Sequence, residues 1–152
     1  MKECRLNARA ANFLFFIFNN MGKILVWNCH GNDDFSNKEN NYYIGRSKDG
    51  NILANPFSFN AQKSSLATLT FKTREEALEA YKEYFKRQYE NDECFKETID
   101  EIYEKYKRGE DIYFQCFCAP EPCHGDIIAD ALRKRLLKEK MAEMRAARAK
   151  QQ

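Results

Sequence analysis

Residues 112–118 restrict the fold of this chain more than any other segment, because they are apolar or aromatic on both alternating faces. One face carries Ile112, Phe114, Cys116 and Cys118, and the other carries Tyr113 and Phe117. Successive side chains of a strand point to opposite sides of the sheet, so both sides of this strand need cover. The segment therefore predicts a central strand with other elements packed on each face, as in an α/β fold.

A loop and a helix follow this predicted strand. Pro120 and Pro122 stand in the loop, and the residues after it are apolar at helical spacing: Ile127, Ile128, Ala131, Leu132 and Leu136. The spacing predicts a helix that begins near residues 124–126. In open α/β sheets, ligands collect where strands end and helices begin, because backbone amides there point outward toward an anion. We therefore expect the functional site at this junction.

The remaining patterns predict further strands and two more helices. Residues 23–28 and 42–44 are predicted as strands, and residues 66–71 as a weaker third one. Thr73 and Glu76 form a capping box that begins one helix. A second amphipathic helix follows and ends at Gly109. Together these elements predict a short, mostly parallel or mixed sheet flanked by helices.

The length predicts one small α/β domain, because 152 residues suffice for one substantial core and are too few for two comfortable ones. We expect this domain over residues 21–137. Residues 1–20 are interpreted as an N-terminal extension upstream of a natural start at Met21. Residues 138–152 are predicted as a basic helical tail at the end of a long C-terminal helix.

Charge and apolar patterning limit the expected partners. The formal net charge is only +2, so the whole chain has no strong field toward nucleic acid or an anionic membrane. Residues 133–150 contain eight basic and two acidic residues, which makes nucleic acid a candidate partner of the C-terminal helix, or else predicts a solvated helix. The apolar run at residues 12–18 is too short to span a bilayer. The cysteines lack the spacing of a disulfide scaffold, so we expect a cytoplasmic protein with reduced thiols and no membrane partner.

Three cysteines and one of the two histidines lie within nine residues at the predicted junction: Cys116, Cys118, Cys123 and His124. Amide dipoles at a helix N-terminus lower the pKa of a thiol, and an adjacent imidazole can accept its proton. Cys118, Cys123 and His124 are therefore candidate catalytic residues, with Cys118 or Cys123 as the nucleophile.

Two other hypotheses fit the same cluster. Thiolates and imidazoles bind zinc, so these four residues could hold zinc if the loop folds tightly around the metal. The pair Cys29 and His30 follows the first predicted strand as the later Cys-His pair follows the last one, so the two pairs meet if those strands are neighbours. Alternatively, the cysteines are small core residues and His124 caps the helix.

The motifs of the chain resemble an uncharacterised domain family of bacteria and phages, a domain of unknown function. The resemblance covers about residues 23–137 and rests on the YIGR sequence at 43–46, the Asn-Pro-Phe turn at 55–57 and the CxCxPxxCHGD motif at 116–126. Ala54 stands where the family usually has glycine, and a longer loop precedes Asn55. The resemblance implies that Arg46 and Asn55 belong with the cysteines, and it implies no activity.

Arg46, Asn55 and Asp126 are thus candidate ligand-binding residues. Arg46 could bind a phosphate or carboxylate bidentately, with Asn55 as a neutral donor and acceptor. Their alternative roles are a surface ion pair for Arg46, a turn for Asn55 and a favourable charge at the helix start for Asp126. Three functions stay open: a small enzyme acting on a phosphate-bearing or nucleotide-like molecule, a zinc-containing module that binds nucleic acid or protein, and a structural or accessory protein without catalysis.

Overall fold

The computed structural model describes Phe15, residues 21–60 and residues 66–150. Apart from Phe15, the predicted extension over residues 1–20 lies outside the described residues. The described strands are β1 Ile24–Asn28, β2 Asn41–Tyr43, β3 Phe57–Ser58, β4 Leu69–Thr70 and β5 Ile112–Cys116. The helices within residues 66–150 are α1 Arg74–Asn91, α2 Glu93–Lys107 and α3 His124–Ala149.

The main sheet has β5 at its centre, between β1 and β2, and both neighbours run parallel to it. Asn28 lies opposite Cys116 and Tyr43 lies opposite Gln115, so the three strands end at the same edge of the sheet. The short strands β3 and β4 pair in parallel as a separate sheet. The predicted α/β fold with a central last strand is confirmed, and all described strand pairs are parallel rather than mixed.

The strand β5 ends at Cys116, two residues before the end of the predicted strand. The amides of Cys118 and Ala119 turn back toward the Cys116 sulfur instead of continuing the strand. The Asn28 side chain donates to the carbonyls of Phe117 and Ala119, at 3.2 and 2.9 Å. The predicted length was wrong because these bonds, which the apolar pattern does not encode, bend the chain after Cys116.

The helices cover the sheet with large side chains that are almost fully buried. These are Tyr81 from α1, Phe95, Ile102 and Tyr103 from α2, and Ile128 and Leu132 from α3, each at most 1% exposed. Burying one large apolar side chain stabilises a fold by roughly 1.5–3 kcal/mol, so these contacts hold the helices on the sheet. The capping box that begins α1 is confirmed, with Thr73 accepting from the Glu76 amide at 3.2 Å.

The last helix, α3, runs unbroken from His124 to Ala149, through the expected boundary between the domain and the basic tail at residues 137 and 138. Arg135 pairs with Asp100, and Lys107 pairs with Glu139 at 2.8 Å, so this part of α3 is attached to α2. Within the described ranges, no helix combines the length and the apolar character needed to cross a membrane.

Candidate active site

A cavity of about 130 Å³ lies at the sheet edge where β5 ends and α3 begins. The loop after β2 and the start of α1 complete its walls. Its polar and thiol side chains are Arg46, Asn55, Ser58, Arg74, Cys116, Cys118, Cys123 and His124. The structure therefore brings Arg46 and Asn55 together with the cysteine cluster, whereas Asp126 does not line the cavity.

Cys116 lines the cavity as the last residue of β5, and it is 2% exposed. Its sulfur accepts hydrogen bonds from the amides of Cys118 and Ala119, both at 3.4 Å, and from the thiol of Cys123. The bond from Cys123, supported by the two amides, lowers the pKa of Cys116 in spite of its burial. Cys116, whose sulfur accepts from two backbone amides, is therefore the more acidic thiol of the pair.

Cys123 is the N-cap of α3, where its sulfur accepts from the Gly125 amide at 3.3 Å. In return, the carboxylate of Asp126 accepts from the Cys123 amide at 2.9 Å, which completes a capping box. The hydrogen bond to Cys116, together with burial, raises the pKa of Cys123. The helix-end amides were expected to lower the pKa of Cys123, but the hydrogen bond with Cys116 and burial outweigh the bond from the Gly125 amide, because two negative charges side by side are unfavourable.

His124 is buried and its ring contacts the backbone of the loop after β2. Its Nε2 lies 2.8 Å from the carbonyl oxygen of Ile44, so this nitrogen carries the proton and donates it. Burial lowers the pKa of His124 from 6.5 to about 4, so the ring is neutral at pH 7. The ring also packs edge-on against Tyr81, at 5.1 Å between centroids. His124 thus joins α3 to the segment that carries Arg46.

Arg46 reaches the cavity from the loop after β2, and its Nη1 donates to the carbonyls of Asn55 and Phe57 at 3.0 and 2.9 Å. The Asn55 side chain accepts from the Phe57 amide at 2.9 Å, which forms the turn around Pro56. Among the described residues, Arg46 forms no ion pair with a carboxylate. Its hydrogen bonds therefore fix the guanidinium at the cavity without neutralising its charge.

Arg74, the first residue of α1, also lines the cavity, and the sequence reasoning missed it. Its Nη1 donates to the Pro122 carbonyl at 3.1 Å, and its guanidinium lies 4.5 Å from the centre of the Phe59 ring. Burial raises the pKa of Cys118, while Arg74 and Arg46 oppose the shift. The capping box located Arg74 at a helix start, but nothing in the spacing connects that helix to the cysteines.

Two glycines of the family-like motifs allow the chain to pack closely at the cavity. A Cβ on Gly45 would lie 2.3 Å from the Tyr43 hydroxyl oxygen. A Cβ on Gly125 would lie 2.7 Å from a methyl carbon of Ile44 and 2.9 Å from one of Val26. All three distances are far below van der Waals contact, so a larger residue at Gly125 would separate α3 from the strand edge.

A metal-binding arrangement is absent from the part of the chain that the structure describes, where no group of three or more His, Cys, Asp or Glu side chains could hold an ion. The strand before Cys29 and His30 is indeed a neighbour of β5, as the hypothesis of two ligand pairs requires. However, the His30 ring packs against Phe117, at 5.4 Å between centroids, and the Nε2 of His124 is bonded to Ile44. The described positions of Cys29, His30 and His124 therefore supply no set of zinc ligands.

Comparison with known proteins identifies the family of this chain but no function. No curated protein and no solved structure gives a significant match. One family model, described as Domain of unknown function (DUF4326), matches residues 27–134. This range covers most of the chain, including the cysteine cluster and both cavity arginines. The chain therefore belongs to the family of the domain of unknown function DUF4326.

Proposed function

We propose that this protein is a small enzyme that binds the phosphate group of a small molecule between Arg46 and Arg74 and acts on it through the cysteine cluster. One observation carries the proposal: two guanidinium groups line the same small cavity as the cysteines, and neither forms an ion pair among the described residues. A concave site with a few converging polar groups and perturbed thiols is the usual form of an active site.

The charges favour a phosphate group as the ligand of this cavity. Arg46 and Arg74 are each fixed by hydrogen bonds from one nitrogen to backbone carbonyls, so their orientation is set before a ligand arrives. Guanidinium groups match the geometry of phosphate oxygens and bind them through paired hydrogen bonds. Apolar walls that include Ala77 and Leu78 strengthen such interactions by excluding water.

The thiols supply a nucleophile and a proton donor for the reaction. In this mechanism the Cys116 sulfur forms a bond to the electrophilic atom of the ligand. The bond from that atom to the leaving group breaks, and the leaving group takes the electron pair. The Cys123 thiol, hydrogen bonded to Cys116, donates the proton to the leaving group. His124 acts as a positioning residue, because its ring is neutral and donates to Ile44.

Protection from alkylation tests the proposal. Iodoacetamide forms a carbon–sulfur bond with a thiolate and releases iodide, and peptide mass spectrometry measures the modification of each cysteine. We expect inorganic phosphate to slow alkylation of Cys116 and to leave alkylation of Cys94 unchanged, because Cys94 is exposed on α2 and does not line the cavity. Equal rates for Cys116 with and without phosphate would contradict the proposal.

Arginine variants separate phosphate binding from a general effect of charge. Arg46→Gln and Arg74→Gln each remove hydrogen bonds to a charged group, worth roughly 1.5–3 kcal/mol, so the phosphate concentration for half-protection rises by about tenfold or more. Arg87→Gln is the matched control, because Arg87 lies on the exposed surface of α1 and does not line the cavity. If all three variants bind phosphate equally, the two cavity arginines are not the binding site.

A further inference from the structure

A second and larger cavity adjoins the one described above. Its volume is about 780 Å³, within the range of roughly 300–1,000 Å³ that is common for ligand sites. Six residues line both cavities: Arg46, Ser58, Phe59, Arg74, Phe117 and Cys118. We call the first the inner cavity, because it holds the cysteine cluster, and the second the outer cavity, because its aromatic rings are exposed. A ligand larger than phosphate would therefore extend from the first into the second.

Aromatic side chains line this outer cavity and are unusually exposed. Phe117 is 50% exposed and Phe59 is 38% exposed. His30, also exposed, has its ring beside Phe117 at 5.4 Å between centroids and 39° between planes. Exposed aromatic rings leave apolar area in water, and planar ligands stack on such faces. The ring surfaces thus match a ligand that carries a flat aromatic group.

The position of Arg74 joins the two parts of the site. Its guanidinium lies 4.5 Å from the centre of the Phe59 ring, at the boundary where both cavities share lining residues. A phosphate bound by Arg74 and Arg46 would thus lie next to the exposed rings. This order, an anion inside and an aromatic surface outside, fits a phosphate group separated by a short linker from a planar ring.

We infer that the ligand of this site is a nucleotide, with its phosphate in the inner cavity and its base against Phe59 and Phe117. The inference rests on the proposed binding of phosphate by the two arginines. Two polar side chains of the outer cavity, His30 and Glu121, can form hydrogen bonds with the edges of a base. A phosphate on an apolar chain would use the rings but not these polar groups, and a sugar phosphate would use the polar groups but offer no planar ring for stacking.

Calorimetric titration of the full chain with a graded set of probes tests the inference. The probes are inorganic phosphate, ribose 5-phosphate, AMP and UMP. We expect AMP and UMP to bind about tenfold or more tightly than ribose 5-phosphate, because stacking of one base on an aromatic side chain has an effect of that size. Equal affinities for ribose 5-phosphate and both nucleotides would overturn the inference and leave phosphate binding intact. Binding of none of the four probes would overturn both.

Substitutions of Phe59 and Phe117 test whether these two rings account for the higher affinity for nucleotides. Phe59→Leu and Phe117→Leu should each lower the affinity for AMP severalfold and that for ribose 5-phosphate by a smaller factor, because leucine keeps apolar volume beside the inner cavity but has no ring face for a base. Phe35→Leu is the matched control, because this partly exposed ring packs on Tyr113 and lines neither cavity. An equal loss for AMP and ribose 5-phosphate in the ring variants would mean that the base does not stack there.

Discussion

The neutral state of His124 makes the stability of this protein depend on pH in a defined range. Burial lowers its pKa from 6.5 to about 4 in the folded chain, whereas the ring titrates near 6.5 in the unfolded chain. Between pH 6.5 and pH 4 the unfolded state binds a proton that the folded state does not, so the free energy of unfolding falls as the pH falls. The difference of about 2.5 pKa units corresponds to roughly 3 kcal/mol at 1.36 kcal/mol per unit.

Urea denaturation at pH 7.0, 6.0 and 5.0 measures this dependence. From His124 alone, we expect the free energy of unfolding to fall by about 2 kcal/mol between pH 7 and pH 5, before most carboxyl groups titrate. In His124→Gln the side-chain amide can still donate to the Ile44 carbonyl but does not titrate, so the decrease over this range should be smaller. His30→Gln, at the exposed histidine, is the control.

Proton NMR gives a second, independent measure, because the hydrogens on the imidazole carbons of each histidine shift with pH and show the titration midpoint of that ring. The reasoning is refuted if His124 titrates near 6.5 in the folded protein and if wild type and His124→Gln lose equal stability between pH 7 and pH 5. In that case His124 would be available to accept the proton of Cys123, as the sequence reasoning suggested.

Two further predictions concern the cysteine pair and the close packing behind it. Cys123→Ala removes the thiol that donates to Cys116, so the midpoint of Cys116 should rise by about 1–2 pH units, measured by NMR of ¹³C-labelled cysteine. Cys123→Ser keeps a donor and should shift that midpoint less, and an equal shift in both variants would contradict the assigned hydrogen bond. Gly125→Ala adds a Cβ 2.7 Å from Ile44 and should lower the free energy of unfolding by about 1–3 kcal/mol in urea titration, although alanine favours helices.

The main elements could be predicted because their signals are local. The double-faced apolar pattern before Cys116 identified the central strand, and the Thr73–Glu76 capping box identified the start of α1 within one residue. Strands β3 and β4 were harder to predict from the sequence, because each has only two residues and therefore too few side chains to form an alternating pattern. The end of β5 was misjudged because an asparagine 89 residues earlier in the chain bonds to the Phe117 carbonyl.

The candidate site could be predicted in part for the same reason. The motif from Cys116 to Asp126 marked the junction, and the grouping of Arg46 and Asn55 with it came from the resemblance to a family. No local motif marked Arg74 or the exposed rings of Phe59 and Phe117 as part of the site. These side chains reach the cavities from a helix and loops in separate parts of the chain.

The sequence by itself determined the α/β fold, the strand-to-helix junction and the crowding of thiols there, because these follow from side-chain order along the chain. Only the tertiary structure decided which thiol has its pKa lowered and which contacts His124 makes. Both answers depend on distances and burial, because these set the pKa of a group. The order of residues along the chain does not reveal them. The pKa of Cys116 is lowered by the groups that donate to its sulfur, and His124 attaches α3 to the loop that carries Arg46.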